Sequence, residues 1–257
     1  MINTRFKRTK IVATLGPGCN NKTTISKLIR AGVNVFRINF SHAKYEEADL
    51  YIDIIRKINK ETESNVAILA DLQGPKIRIG QMEDGVVIKK GQIFALSTTK
   101  NLVGNKSEAS LSYLNFPKDV KKGDKVLIDD GKLIFEVLST NRIDKVKLKN
   151  IQGGKLSSNK GVNLPNTKIS TPSLTSKDQK DLKYAISKEL DWIALSFVRN
   201  ADDVNNLRKI IEETSDEKIP IIAKIEKPEA ITNIEEIIQS SDGVMVARGD
   251  LGIEIPS

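Results

Sequence analysis

Four short stretches of this 257-residue chain close on residues that bind anions or hard cations. They read Arg37-Ile38-Asn39-Phe40-Ser41-His42, Asp71-Leu72-Gln73-Gly74-Pro75-Lys76, Lys224-Ile225-Glu226 and Arg248-Gly249-Asp250. Glu226 and Asp250 supply hard oxygen ligands of the kind Mg²⁺ prefers. Arg37 and Lys224 supply cationic donors for a phosphoryl group. The backbone amides around Gly249 and Asp250, in a loop that reads like a helix start, suit a small carboxylate. Together these groups point to metal-assisted phosphoryl transfer or to enolate chemistry on an anionic substrate. The alternative is a set of internal salt bridges, Lys224 with Glu226 among them, because fixed charges drawn out of water need a ligand, a metal or each other.

Each stretch sits at the end of a strand-like run. Strands are expected at 10–16, 34–41, 65–71, 192–197, 220–226 and 243–250. On a strand at 34–41, Arg37, Asn39 and Ser41 share one face, as Lys224 and Glu226 do on theirs. Helices are expected at 23–31 (Thr23 or Thr24 as N-cap, Gly32 as C-cap), 46–60, 175–187 (capped by Thr175 or Ser176), 201–214 and 228–240. In the helix at 46–60, Leu50, Ile54, Ile55 and Ile58 form the apolar stripe, with acids first and bases last. This alternation predicts an α/β fold with a parallel sheet or barrel. From Pro75 to about Pro172 the pattern changes to short alternating strands split by Asp84-Gly85, Lys90-Gly91, Gly123-Asp124 and Asp130-Gly131. That segment reads as an inserted small all-β barrel or sandwich. The expected domains are 1–75 (barrel strands 1–3), 76–172 (inserted β-barrel lid) and 173–257 (barrel strands 4–6).

A (β/α)₈ TIM-type barrel takes about 250 residues by itself. The 160 residues outside 76–172 suffice for about six strands, so the expected barrel is incomplete. Hydrophobic residues make up 39% and charged residues 29%, which excludes a disordered chain and a collagen-like fibre. Cys19 is the sole cysteine, so no internal disulfide forms, and a reducing, cytoplasmic setting is expected. No apolar run approaches the length of a membrane helix. The net charge of +8 is uneven: 76–172 holds 18 basic and 9 acidic residues, whereas 173–257 holds 11 and 17. The basic module suits an anionic ligand. Aromatics at 5% are too few for base stacking, which points to small phosphorylated ligands rather than nucleic acid.

Seven stretches carry a family resemblance: KIVATLGPGC (10–19), NVFRINFSH (34–42), ADLQGPKIRIG (70–80), KGVNLP (160–165), LSFVR (195–199), AKIEKPEA (223–230) and SDGVMVARGDLGIEIP (241–256). By these the chain resembles pyruvate kinase. The resemblance implies phosphoryl transfer from phosphoenolpyruvate to ADP, giving ATP and an enolate that is protonated to pyruvate. It further implies a β-domain inserted after barrel strand three that closes over the nucleotide as a lid. Carried over by motif, Arg37 contacts the transferring phosphoryl group and Lys224 stabilises its charge. Glu226 and Asp250 bind Mg²⁺ or Mn²⁺, and the amides of Gly249 and Asp250 hold the substrate carboxylate. Arg78 and Lys160, with His42 nearby, resemble nucleotide-phosphate contacts, and Pro17 falls where the adenine site is lined. Cys19 matches no catalytic role and reads as packing.

The family's monovalent-cation site maps to the side chains of Asn39, Ser41 and Asp71 and the carbonyl of residue 72. Members that need K⁺ usually carry Thr and Glu where this chain has Leu72 and Lys76. A lysine ammonium can stand in for the ion, so K⁺-independence is expected. The family continues beyond these motifs with two more barrel strands and a C-terminal domain, and its members are tetramers. The chain is therefore expected to be a truncated piece or one half of a split gene, with little activity alone and a doubtful oligomeric state. A metal-dependent aldolase or lyase barrel acting on an enolate is the remaining alternative, and neither nucleic acid nor membrane is an expected partner.

Overall fold

A computed structural model describes residues 8–165 and 167–255. By density of contacts the chain divides into two units. The first takes in the chain up to Gly74, Ser173–Ile225 and Asn233–Met245; the second takes in Pro75–Pro172, Glu226–Thr232 and the chain from Val246 on.

The chain opens with β1 (Ile11–Thr14), α1 (Lys22–Ala31), β2 (Val33–Asn39), α2 (Tyr45–Thr62) and β3 (Ala67–Asp71). After the β-rich segment it resumes with α4 (Ser176–Ser187), β12 (Trp192–Leu195), α5 (Ala201–Thr214), β13 (Ile221–Ile225), α6 (Pro228–Thr232), α7 (Ile234–Ser240), β14 (Gly243–Val246) and α8 (Arg248–Glu254). Six parallel strands pair in the order β1-β2-β3-β12-β13-β14, an incomplete α/β barrel. Its inner strands are rich in buried Val, Ile, Leu, Phe and Ala, as parallel strands covered by helices are, with polar residues such as Arg37, Asp71 and Lys224 toward their C-terminal ends. Its edge strands leave Ile11, Val12, Val244 and Val246 exposed.

Local chemistry sets the element ends. Asn21, not Thr23 or Thr24, caps α1, its side chain accepting the Thr24 amide at 2.9 Å. Gly32 closes that helix at φ 104°, a left-handed geometry that favours glycine. In α2 the buried stripe is Ala48, Tyr51, Ile52, Ile55 and Ile58, while Leu50 is exposed. A small alanine and a hydroxyl-bearing tyrosine hid the phase of that stripe. The helix expected at 228–240 is broken at Asn233, whose side-chain amide donates to the Arg199 carbonyl at 2.9 Å. The strand expected at 243–250 stops at Val246, and Arg248–Glu254 is helical instead. Ser41 lies in the turn after β2 rather than on the strand.

The β-rich segment comprises β4 (Val87–Ile88), β5 (Ile93–Ser97), β6 (Glu108–Ser110), α3 (Phe116–Asp119), β7 (Lys125–Ile128), β8 (Leu133–Thr140), β9 (Lys145–Gln152), β10 (Gly154–Lys155) and β11 (Val162–Asn163). Six of these strands form one sheet in the order β11-β7-β8-β9-β5-β6, and β10 pairs with β4. Irregularities between Ile134 and Phe135 and between Val137 and Ser139 bend β8 against β9, as bulges do. Alternate residues of β5, β7, β8 and β9 face a shared core of Phe94, Leu96, Val126, Ile128, Phe135 and Leu148.

Candidate active site

Parallel register brings the C-terminal ends of the strands to one edge of the sheet. Thr14 lies beside Arg37, Asn39 beside Asp71, Asp71 beside Ala194, and Leu195 beside Ala223. Ser196 and Lys224 each follow one residue later. Side chains from β2 and β13 therefore converge on Asp71, which is 1% exposed, with Thr14 and Ser196 behind them.

Arg37 Nε donates to Asp71 Oδ2 at 2.6 Å, and its Nη2 also pairs with that oxygen. Arg37 Nη1 reaches Thr14 Oγ1 at 2.9 Å. Lys224 Nζ lies 3.1 Å from Asp71 Oδ1 and 3.4 Å from Oδ2, and only the longer approach has hydrogen-bond direction. Lys224 Nζ donates to Ser196 Oγ at 2.7 Å, and Ser196 Oγ donates onward to the Leu72 carbonyl at 2.6 Å. One carboxylate thus holds two cations, and a serine links the second to the end of β3. Such charge-assisted bonds in a buried place fix geometry more tightly than exposed pairs do.

The loops that carry these groups are pinned from below. Gly74 holds φ +70°, and a Cβ there would come 2.7 Å from Phe197 and 2.9 Å from Ser196. Its amide donates to Asp178 Oδ1 at 3.0 Å, while Asp178 also caps α4 through Thr175. Phe197, at φ 56°, turns the chain in a conformation uncommon for a bulky residue, immediately after Ser196. After β2, Lys177 Nζ donates to the Phe40 carbonyl at 2.6 Å and to Asp181 at 2.5 Å. Asp181 also accepts from Tyr45, whose hydroxyl is pushed up to about 12 by burial and by that carboxylate.

The other sequence candidates fall as follows. Asn39 Oδ1 accepts the Ser41 amide at 3.0 Å, and the exposed His42 donates its amide to the Asn39 carbonyl. Leu72 is buried and Lys76 exposed. Glu226 is 1% exposed just beyond β13. Gly249 and Asp250 lie in the first turn of α8, Gly249 exposed and Asp250 half-buried. In the second unit, Arg78 forms a bridge with Gly161 and donates to the Asn159 carbonyl at 2.9 Å. Lys160 lies between those two partners in sequence and pairs with Asp129 at 2.9 Å. That contact holds the Asp129 carboxyl below its ordinary value. Cys19 Sγ accepts the Gly16 amide at 3.3 Å, within the turn that Pro17 begins.

Sequence reading missed Ser196. The signal was there in LSFVR, but a serine one residue beyond a strand has no chemistry until its neighbours are known. Sequence reading also placed Asp71 in a monovalent-cation site or its lysine-substituted equivalent with Lys76, whereas the fold sets it between Arg37 and Lys224 and leaves Lys76 exposed.

A family model described as the pyruvate kinase barrel domain matches residues 6–257. The chain is 45% identical over 252 residues to a pyruvate kinase of Thermotoga maritima, covering 98% of this chain and 53% of that protein. It is 44% identical over 253 residues to one of Staphylococcus saprophyticus, covering 98% and 43%. A crystal structure of a pyruvate kinase from Cryptosporidium parvum superposes with a TM-score of 0.91 at 40% identity, covering 96% of this chain and 52% of that one. The chain thus spans about half the length of the relatives it matches.

Proposed function

Because the chain belongs to the pyruvate kinase family, we propose that it supplies the phosphoryl-transfer centre of an enzyme that converts phosphoenolpyruvate and ADP to pyruvate and ATP. The observation that carries this reading is the buried Arg37–Asp71–Lys224–Ser196 cluster at the parallel strand ends. In the reaction the bond from the enol oxygen to phosphorus breaks, a bond to the terminal ADP oxygen forms, and the enolate takes a proton to become pyruvate. Charge builds on the transferring group and on the enolate oxygen, so the task is positioning and neutralisation. Arg37 and Lys224 provide two cationic donors whose direction Asp71, Thr14 and Ser196 fix beforehand. Preset donors need no reorganisation as charge develops.

Glu226 and Asp250 fit a divalent cation by the chemistry of their donor set: two carboxylates, one deeply buried, suit Mg²⁺, which keeps waters and substrate oxygens in its other positions. When bound, that cation would neutralise charge on the anionic substrate. The amides of Gly249 and Asp250 are assigned to the substrate carboxylate, and Arg78 and Lys160, with His42, to the nucleotide phosphates. K⁺-independence is retained in the proposal. The Leu72 carbonyl already accepts the Ser196 hydroxyl, and Asp71 already faces two cations. With ionic strength held constant, exchanging Na⁺ for K⁺ is expected to leave the rate unchanged; a severalfold rise would overturn that part.

The test is pyruvate formation from phosphoenolpyruvate, assayed on residues 1–257 and on the whole reading frame that contains them. Activity of the whole reading frame that depends strictly on ADP and on a divalent cation and is lost in Lys224→Met, with little activity in residues 1–257, is the expected result. Pyruvate release at the same rate without ADP would overturn it in favour of a lyase.

A further inference from the structure

Glu254 closes α8 and is 2% exposed. Its Oε1 accepts from Lys227 Nζ at 2.6 Å and from Asn163 Nδ2 at 2.8 Å. Its Oε2 is buried and takes no hydrogen bond among the described residues. Lys227 is itself 6% exposed. A buried ion pair of this kind rarely adds net stability over apolar packing, because desolvation offsets the attraction. It does impose one geometry, since displacing either partner strands a charge out of water.

Three segments meet at that one oxygen. Glu254 lies one helical turn from Asp250, so a shift of its carboxylate moves the turn that presents Asp250. Lys227 directly follows Glu226. Asn163 lies in β11, three residues beyond Lys160, and the intervening Gly161 bridges Arg78. All of these residues belong to the second unit.

We propose that Glu254 is a positioning residue for the divalent-cation pair: its buried carboxylate locks the helix bearing Asp250 and the turn bearing Glu226 onto strand β11. This rests on reading Glu226 and Asp250 as cation ligands. Groups that orient metal ligands from behind commonly control affinity strongly when removed.

The test uses Mn²⁺ binding, read from the free-ion electron spin resonance signal, with hydrogen exchange of α8 in the same samples. The variants are Glu254→Gln, Lys227→Met and Asn163→Ala, with Lys227→Arg as the conservative control. Positioning predicts that all three weaken Mn²⁺ by about tenfold, that Lys227→Arg restores most of the loss, and that exchange in Arg248–Glu254 accelerates. A purely electrostatic role predicts opposite signs, since losing Glu254 removes a negative charge and losing Lys227 removes a positive one. Opposite signs, or unchanged exchange in α8 for Asn163→Ala, would overturn the proposal. If the unaltered protein binds no Mn²⁺, the cation reading of Glu226 and Asp250 falls instead, and exchange in α8 alone decides whether the lock exists.

Discussion

The parallel sheet and the β-rich segment treat charge in opposite ways. In the parallel sheet, charged side chains from separate strands are drawn to one buried point, Asp71. In the β-rich segment charge alternates outward, as on β9, where Lys147 and Lys149 are exposed while Val146, Leu148 and Asn150 in alternation with them are buried. Its ion pairs, such as Lys145–Glu108 and Lys160–Asp129, lie at the surface. Topology explains the contrast. Parallel strands aligned in register bring equivalent ends together, so a few residues per strand build one site. A sheet of mainly antiparallel neighbours scatters its strand ends over two edges, and its two-residue alternation separates apolar from charged faces. The first arrangement gathers chemistry; the second builds a stable body with exchangeable surface cations.

Removing Asp71 should expose that difference most sharply. Asp71→Ala takes from Arg37 and Lys224, partly or wholly out of water, the carboxylate that they share. A stability loss of about 3–5 kcal/mol is expected, toward the low end because Arg37 keeps some exposure. Urea unfolding measures it. A loss below about 1 kcal/mol would mean that the cluster behaves like an exposed pair.

Ser196→Ala should come next. It leaves the buried Leu72 carbonyl without its donor and takes one acceptor from Lys224. The expected loss is about 1–3 kcal/mol by the same measurement. Reductive methylation mapped by mass spectrometry should also label Lys224 faster than in the unaltered protein, with the other lysines unchanged. Equal labelling would show that the Ser196 hydroxyl does not hold the ammonium.

The surface counterpart is Lys145→Ala, which breaks the 2.7 Å pair with Glu108. The two side chains are 43% and 30% exposed, so the expected change stays within about 1 kcal/mol and shrinks with added salt. A loss as large as that of Asp71→Ala would erase the contrast between the units.

Much of the parallel unit was legible because its signals are local: caps, apolar runs, and charged residues just past each strand. Arg37 and Lys224 could be picked out from their place near the C-terminal end of a strand. Their shared partner could not, because the pairing of Asp71 depends on strand order, which no single stretch encodes. The break at Asn233 was hidden for a related reason. Its side-chain amide donates to a carbonyl on another loop, and periodicity sees only the helix. The burial of Glu254 was not legible, since nothing in the run DLGIE says that Lys227 and Asn163 will close over its carboxylate.

The smallest expected effect lies at Asp129, and it tests whether the surface cations really are exchangeable. The Lys160 ammonium lowers its carboxyl most, burial opposes, and Lys132 adds to the lowering. A depressed acid contributes stability above its ordinary value and loses it only as pH falls through the depressed one. Lys160→Ala should therefore shift the Asp129 titration upward, and Lys132→Ala should shift it less; both are read from the side-chain carboxyl carbon by NMR. If Lys160 serves nucleotide phosphates, ADP should draw the ammonium away and raise the Asp129 titration as Lys160→Ala does. A titration unmoved by saturating ADP would make Lys160 a fixed structural partner and take it out of the nucleotide site. No equivalent release is expected at Asp71, where two cations share a carboxylate that water does not reach.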